Sequence, residues 1–257
     1  MSAPEEPVLV GAREGVLEIT LNRPQARNAV NAAVAEGIAA AIERLDGDGE
    51  LRAAILTGAG GSFCAGMDLK AFVAGERPHA AGRGFAGIVQ APPVKPVVAA
   101  IEGYAVAGGF EIALACDLIV AARDARLGIP EVKRGLVAAG GALLRLPRRI
   151  PYHLAMELAL TGELIGAERA AELGIVNRLA EHGDALAAAR ELAAAIVANG
   201  PLATAASKRI IVESADWPEA DAWDRQREIS GPVFASEDAR EGAIAFAEKR
   251  PPVWRAT

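Results

Sequence analysis

Residues 105–117, Ala-Val-Ala-Gly-Gly-Phe-Glu-Ile-Ala-Leu-Ala-Cys-Asp, decide much of the fold. A short apolar strand runs into paired glycines, and a helix begins directly after them. Gly108 and Gly109 allow a ligand to approach the backbone closely. Glu111 lies in the first turn of an otherwise apolar helix, where an unpaired carboxylate would be costly to bury. Helix-dipole stabilisation also explains a carboxylate there, but such complete apolar surroundings favour a functional role.

Two further stretches place polar groups where a strand ends. Residues 62–70 read Ser-Phe-Cys-Ala-Gly-Met-Asp-Leu-Lys and predict a glycine loop leading into a short helix that begins near Asp68. Backbone N–H groups at a helix start are unpaired and can stabilise an anion. Alone, a plain strand-to-helix turn capped by Asp68 is the simpler interpretation. Glu131 follows the apolar residues 127–129, where a solvated loop position is as plausible as a functional one.

Together the three stretches indicate one kind of chemistry. Two helices that each begin after a glycine loop could direct two backbone N–H groups at a single oxygen. Glu111 and Glu131 could lie beside that oxygen. The combination suits a reaction through an enolate, in which an oxyanion hole holds a carbonyl oxygen and carboxylates move protons or water.

The surrounding pattern predicts an α/β fold with mainly parallel strands. An alternating hairpin is predicted over residues 8–21, and Asn31 offers an N-cap for a helix with an apolar stripe. Further strands are predicted at residues 53–57, 97–101, 118–121 and 126–129, and helices at residues 151–160, 167–173, 184–198, 202–212, 218–229 and 236–247. We therefore predict a core over residues 1–195 and a C-terminal helical region over residues 196–257.

One segment of the core shows little regular pattern. Residues 74–83 contain two glycines, a proline and a histidine, which predicts a mobile loop. Residues 74–90 are expected to shape the pocket for a substrate.

Composition excludes several classes of protein. The 257 residues are 52% hydrophobic and 23% charged, which is typical of a folded chain rather than a disordered one. A net charge of −6 argues against nucleic-acid binding through bulk charge. No uncharged run is long and unbroken enough to predict a membrane span, and residues 1–7 resemble neither a secretory signal nor a transit peptide. The two cysteines predict a reduced, cytoplasmic protein.

Other catalytic chemistries lack their motifs. The sequence contains no G-x-G-x-x-G, no G-x-x-x-x-G-K-[ST] and no G-x-S-x-G pattern. The histidines His79, His153 and His182 lie far apart, outside any metal-ligand spacing, so no metal site is predicted. Carboxylates and backbone amides remain the candidates for catalysis.

These residues resemble the crotonase superfamily, specifically the enoyl-CoA hydratase/isomerase family. Each matching motif is weak alone, but their order and spacing are highly specific. The motifs are residues 21–29 (Leu-Asn-Arg-Pro-Gln-Ala-Arg-Asn-Ala), 63–69 (Phe-Cys-Ala-Gly-Met-Asp-Leu), 103–111 (Gly-Tyr-Ala-Val-Ala-Gly-Gly-Phe-Glu), 116–117 (Cys-Asp), 130–131 (Pro-Glu), 160–162 (Leu-Thr-Gly), 170–176 (Ala-Ala-Glu-Leu-Gly-Ile-Val) and 241–250 (Glu-Gly-Ala-Ile-Ala-Phe-Ala-Glu-Lys-Arg).

The resemblance implies a superhelical stack of ββα units, followed by a helical C-terminal trimerisation region. It implies a homotrimer, often paired into a homohexamer. The activity implied is the reversible addition of water to the double bond of a 2-enoyl-CoA thioester, usually in fatty-acid β-oxidation. No metal or redox cofactor is implied, since coenzyme A enters as part of the acyl-CoA substrate.

The resemblance also assigns roles to individual residues. The amides of Met67 and Gly108 match the oxyanion hole, and Glu111 and Glu131 match the glutamates that hold and deprotonate water and exchange the α-carbon proton. Residues matching the substrate-binding positions are Ala65, Asp68, Leu69 and Lys70 along the CoA ester, and Phe246 and Lys249, which reach the CoA of a neighbouring subunit.

The chain departs from the family pattern at two places. Ala107 stands where the family often has the first of three glycines. Residues 138–143, Ala-Ala-Gly-Gly-Ala-Leu, replace the common Pro-Gly-x-Gly-Gly-Thr, and with residues 144–151 they look more like carnitinyl-CoA dehydratase. A carnitinyl-CoA dehydratase-like hydro-lyase is therefore one alternative to the hydratase, and an enoyl-CoA isomerase is another, although two glutamates favour water addition.

Two non-catalytic alternatives remain. An RNA-binding homologue could use the clustered Arg145, Arg148 and Arg149, but the acidic balance argues against it. An inert trimeric scaffold is disfavoured by the intact pair of glutamates and both oxyanion loops.

Overall fold

A computed structural model describes residues 6–257, which form eleven β-strands and ten α-helices. The strands are β1 (Val8–Arg13), β2 (Val16–Leu21), β3 (Ala53–Gly58), β4 (His79–Ala80), β5 (Gly84–Phe85), β6 (Val97–Ile101), β7 (Tyr104–Val106), β8 (Leu118–Ala122), β9 (Arg126–Gly128), β10 (Ile165–Gly166) and β11 (Arg178–Ala180). The helices are α1 (Ala32–Gly47), α2 (Leu69–Val73), α3 (Gly108–Ala115), α4 (Ala142–Arg149), α5 (Tyr152–Thr161), α6 (Ala167–Glu172), α7 (Ala185–Val197), α8 (Pro201–Glu213), α9 (Glu219–Phe234) and α10 (Glu237–Glu248). Residues 1–5, part of the stretch predicted to carry no targeting signal, lie outside the described residues.

The larger sheet has six strands in the order β1-β2-β3-β6-β8-β11. The predicted hairpin is confirmed, because β1 and β2 pair antiparallel. Every later strand joins in parallel, as predicted. Strands such as β3 and β6 are buried along almost their whole length, which explains why they read as continuous apolar runs rather than alternating ones.

A second sheet lies after the ends of the first and contains β10, β9 and β7. The strand predicted at residues 126–129 is present as β9, but it pairs with β7 and not with β8. In a ββα unit such as β6-β7-α3, the chain therefore forms a strand of the larger sheet, then a strand of the smaller sheet, and then a helix. The predicted α/β class and stack of ββα units are confirmed.

Helix α1 packs the apolar stripe predicted for it. The Asn31 side chain accepts a hydrogen bond from the Val34 N–H at 3.1 Å and so caps the helix as expected. Ile38, Ile42 and Leu45 are fully buried in the main core.

The C-terminal part is helical, as predicted, and is weakly buried within the chain. Neither α8 nor α9 has a buried residue. Lys208 attaches α8 to the core through its Nζ, which lies 2.7 Å from an Asp117 carboxylate oxygen. The predicted boundary between residues 195 and 196 falls in the last turn of α7 and stays a prediction. Within residues 6–257 no helix is long and apolar enough to span a membrane.

Two predictions of local structure need correction. The segment predicted as a loop, residues 74–83, contains β4, which pairs with β5; its mobility stays a prediction. Helix α4 was not predicted, because Pro147 lies inside it and paired glycines precede it, and both are typical helix breakers.

The turn into α3 holds a residue in an unusual conformation. Ala107 has φ 53° and ψ −131°, a region that glycine adopts freely and other residues adopt at a cost. Its N–H donates to the Gly128 carbonyl at 2.8 Å, and its carbonyl accepts from the Phe110 and Glu111 N–H groups. The backbone path typical of glycine is therefore retained although the residue is alanine, and the cost of such strain is of order 1–3 kcal/mol.

We predict that Ala107→Gly raises the free energy of unfolding by about 1 kcal/mol, because relief of strain exceeds the extra entropy of an unfolded glycine. Urea denaturation of both proteins measures this difference. Ala105→Gly is the matched control, since Ala105 is a buried strand residue two positions away and its substitution should lower stability by roughly 0.5–1 kcal/mol. A loss of stability in Ala107→Gly as large as that in the control would contradict the assignment of strain.

Candidate active site

The segment after β3 lies directly against the turn from β7 to α3. Cys64 donates its N–H to the Tyr104 carbonyl at 2.9 Å, and its own carbonyl accepts from Val106 at 3.0 Å. A Cβ placed on Gly66 would lie 2.9 Å from the Gly108 nitrogen, so glycine is needed there for the two backbones to approach. The two glycine loops singled out in the sequence therefore meet.

Both predicted oxyanion-hole amides are available for a ligand. Within residues 6–257, neither the Met67 N–H nor the Gly108 N–H has a hydrogen-bond acceptor. Both residues line one cavity. Met67 follows the glycine of the first loop, and Gly108 is the first residue of α3, where helix geometry leaves the N–H unpaired. Two unpaired donors at one cavity are suited to holding a carbonyl oxygen that gains negative charge.

Glu111 is held by backbone donors at the floor of the cavity. The residue is only 4% exposed, and its Oε1 accepts a hydrogen bond from the Ala142 N–H at 3.1 Å. Burial raises the pKa of this carboxyl, while N–H groups of residues 140–142 and the Arg145 charge oppose the rise. A side chain at Gly140 would collide with the Glu111 carboxylate, so glycine allows this close contact.

Glu131 has a different environment. It lies in a 3₁₀ helix, Pro130–Arg134, which follows β9. Its Oε2 is buried and has no hydrogen-bond partner among the described residues. Burial, with a smaller contribution from the Glu111 charge, raises the pKa of Glu131 to about 7. The charges of the two carboxyls therefore interact, and burial disfavours the charged form of Glu131.

The cavity has a volume of about 410 Å³ and brings together most of the predicted site. Phe85 and Val89 line it, so the segment of residues 74–90, which is expected to shape a substrate pocket, borders the cavity. The predicted site residues that line it are Ala65, Met67, Leu69, Gly108, Glu111 and Glu131.

Asp68 and Lys70 occupy other positions. The Asp68 carboxylate accepts hydrogen bonds from the N–H groups of Lys70 and Ala71 and so caps α2. It also forms an ion pair with Arg23 at 2.9 Å. Neither Asp68 nor Lys70 lines the cavity. The structure thus places Asp68 as a residue that fixes the start of α2, and its predicted contact with substrate stays a prediction.

Phe246 lies on α10 and Lys249 directly follows that helix, and neither lines this chain's cavity. Phe246 is 87% exposed, which is unusual for a large aromatic side chain. Lys249 follows the helix with φ 55° and is exposed. Their predicted contact with the CoA of a neighbouring subunit stays a prediction.

Arg145 contributes to the site in a way that the sequence did not reveal. Its guanidinium donates to the carbonyls of Gly140 and Val89, which fixes the loop that holds Glu111. Arg148 instead forms an ion pair with Asp216. Arg145 and Arg148 thus have separate partners within the chain, and the interpretation of the cluster as a basic patch for RNA stays a prediction. The only sequence feature that pointed to this loop was the departure of residues 138–143 from the family pattern.

A group of possible metal ligands lies outside the cavity. Glu102, Asp124 and His182 come together, with His182 Nδ1 2.9 Å from an Asp124 oxygen. Both Glu102 oxygens already accept N–H groups at the start of α7, from Gly183 and Ala185. Capping of α7 therefore explains the position of Glu102.

Comparisons with known proteins identify the family of the chain. The model of the family described as "Enoyl-CoA hydratase/isomerase" matches residues 11–257. Enoyl-CoA hydratase EchA19 of Mycobacterium tuberculosis is 45% identical, covering 95% of this chain and 94% of its own. Carnitinyl-CoA dehydratase of Escherichia coli is also 45% identical, covering 93% and 95%.

Among solved structures, enoyl-CoA hydratase EchA1 of Mycobacterium marinum superposes with a TM-score of 0.97 at 63% identity, covering 98% of this chain and all of the other. The matches span nearly the whole sequence, and the predicted resemblance is confirmed. The chain belongs to the enoyl-CoA hydratase/isomerase family of the crotonase superfamily.

Proposed function

We propose that the chain is an enoyl-CoA hydratase, a hydro-lyase that adds water reversibly to the double bond of a 2-enoyl-CoA thioester. One observation carries the proposal. Glu111 and Glu131 border the same cavity as two unpaired backbone amides, and the two carboxyls differ in hydrogen bonding. Relatives named enoyl-CoA hydratase at 45% and 63% identity support it.

In this proposal the N–H groups of Met67 and Gly108 donate hydrogen bonds to the thioester carbonyl oxygen. When water adds to the β-carbon, the electrons of the double bond move towards the carbonyl and give an enolate. Each donor aimed at such an oxygen is worth roughly 3–4 kcal/mol in the transition state. Because both donors are main-chain groups, the close packing of the two loops sets their position.

The two glutamates divide the proton transfers. Glu111, which accepts a backbone N–H, is stabilised as an anion and takes a proton from water as the water oxygen attacks. Glu131, whose buried oxygen lacks a partner, holds a proton and gives it to the α-carbon. Dehydration runs the same steps in reverse. Separated pKa values in one site are the usual basis of such an acid and base pair.

This chemistry requires no metal and no redox cofactor, since no electrons are exchanged with a third group and CoA arrives as part of the substrate. We place the reaction in fatty-acid metabolism of the β-oxidation type, in the cytoplasm. The acidic chain and the separate partners of Arg145 and Arg148 favour a small-molecule substrate over a nucleic acid.

A second candidate is dehydration of a hydroxylated acyl-CoA, as the name of the carnitinyl-CoA dehydratase relative suggests for that protein. It uses the same pair of glutamates. Measuring kcat/KM for an enoyl-CoA and for a hydroxylated acyl-CoA, by the loss or gain of enoyl-thioester absorbance, distinguishes the two candidates.

We further propose a homotrimer, or a dimer of trimers, with the site completed across subunits. Large side chains on α9 and α10 support this assembly, because Trp223, Phe234 and Phe246 are 69%, 82% and 87% exposed. Exposed apolar surface of this extent is typical of interaction sites. The mean hydropathy of +0.22 in an acidic chain agrees with it.

We predict that Glu111→Gln and Glu131→Gln each lower kcat for hydration by about 10²-fold or more, since each removes a group that moves a proton. The double variant should fall well short of additive, because both act on one water addition. Glu168→Gln, which changes an exposed glutamate paired with Arg123, is the matched control and should leave kcat unchanged. Hydration near the wild-type rate in either site variant would rule out the assigned roles.

We predict a bell-shaped pH profile of kcat/KM, because the active pair carries one proton. Activity should fall as pH rises through about 7, where Glu131 loses its proton. It should also fall at low pH, as Glu111 becomes protonated. Hydration consumes no net proton, so kcat/KM for dehydration must show the same profile. Glu131→Gln should remove the fall at high pH from its residual activity, and persistence of that fall would assign it to another group.

We predict that Lys249→Ala raises KM for the CoA ester and spares kcat, because a remote phosphate is held equally in the ground and transition states. The effect should weaken as salt increases. Arg240→Ala, which removes an exposed positive charge from the same helix, is the control. An unchanged KM in Lys249→Ala, or a fully active monomer by light scattering, would contradict the shared site.

A further inference from the structure

Arg134 lines the catalytic cavity from the same short element as Glu131. The element is a 3₁₀ helix, in which side chains three residues apart lie above one another. Arg134 is three residues after Glu131, so both side chains leave the helix on the same side. Arg134, which is exposed, therefore borders the cavity from the element of Glu131 and not from the loop of Met67.

The charge of Arg134 is not neutralised within the chain. Among residues 6–257 no carboxylate lies within 4.0 Å of its guanidinium, and it donates no side-chain hydrogen bond. Its neighbour Lys133 differs, because it pairs with Glu163 at 2.5 Å, outside the cavity. In a chain with six more acidic than basic residues, Arg134 thus borders the cavity without a carboxylate partner among the described residues.

The other arginine that lines the cavity, Arg27, is attached to a different segment of the chain. The Arg27 carbonyl accepts a hydrogen bond from the Ala65 N–H at 3.0 Å, so Arg27 lies beside the segment that the CoA ester is expected to follow. The lining residues that follow Arg134 in the chain, Leu136 and Val137, are apolar. An unpaired cation on an apolar wall interacts most favourably with an anion, because the wall excludes water from the pair once a ligand fills the cavity.

We propose that Arg134 determines specificity and selects an acyl group that carries a carboxylate at its far end, so that the substrate is the CoA monothioester of an unsaturated dicarboxylic acid. This inference rests on the proposed function. It also separates the chain from an enzyme for a carnitinyl group, whose quaternary ammonium Arg134 would repel.

Three series of 2-enoyl-CoA thioesters of five to eight carbons test the inference, ending in a methyl group, a carboxylate or a trimethylammonium group. We expect wild-type kcat/KM for the carboxylate series to exceed that for the methyl series by about 10-fold or more at one chain length, the scale of a hydrogen bond to a charged group. The trimethylammonium series should be the poorest. The preference should weaken as salt increases.

Variants assign the preference to the residue. Arg134→Met should abolish the ratio between the carboxylate and methyl series, whereas Arg134→Lys, which keeps the charge, should retain part of it. Lys133→Met removes the adjacent cation and should leave the ratio unchanged. An absence of carboxylate preference in the wild type at every length, or an unchanged ratio in Arg134→Met, overturns the inference.

Binding separates this inference from the proposed function. Calorimetry with saturated thioesters, glutaryl-CoA against pentanoyl-CoA and their longer counterparts, needs no turnover. If no enoyl-CoA is hydrated but the saturated carboxylates bind more tightly and lose that advantage in Arg134→Met, the hydratase proposal fails and the inference stands. Hydration without any carboxylate preference gives the opposite result.

Discussion

The active site depends on the close approach of two backbones, the segment after β3 and the turn from β7 into α3. Side chains at Gly66 or Gly109 would prevent this approach, since an added Cβ would meet the opposite main chain. Within residues 6–257, the Met67 and Gly108 amides lie at this approach without hydrogen-bond acceptors. Because α3 starts at this contact, the contact also fixes where Glu111 enters the cavity.

A second constraint is the burial of two carboxyls at one cavity. Removing both from water would be costly if both were charged, so the surroundings treat them differently. The loop of residues 140–142 supplies N–H groups to Glu111, and Arg145 holds that loop by its carbonyls. Glu131 keeps one buried carboxylate oxygen without a hydrogen-bond partner among the described residues. The difference in environment between these two identical side chains thus comes largely from the main chain around Glu111.

Sequence reasoning was most successful where a local pattern has one physical cause. The cap at Asn31 and the glycine loops around Gly108 were predictable, because capping and close approach restrict residue type. Helix α4 was not predictable, because Pro147 inside it is typical of a helix break. The role of Arg145 was not predictable either, because it donates to the carbonyl of Val89, which is distant in sequence. Strand β11 has three residues, too few to show a period. The cap formed by Asp68 was recognised as an option, but its pairing with Arg23 needed the fold.

The order of strands in the larger sheet has a consequence for how the protein is made. Its strands are added in the same order in which they occur in the chain, always at the same edge. Each strand emerging from the ribosome therefore finds its partner already synthesised, and the sheet can grow vectorially with the chain. Glu111 and Glu131 are both translated before β11, so the cavity that they line can assemble while the last strand and the C-terminal helices are still being made.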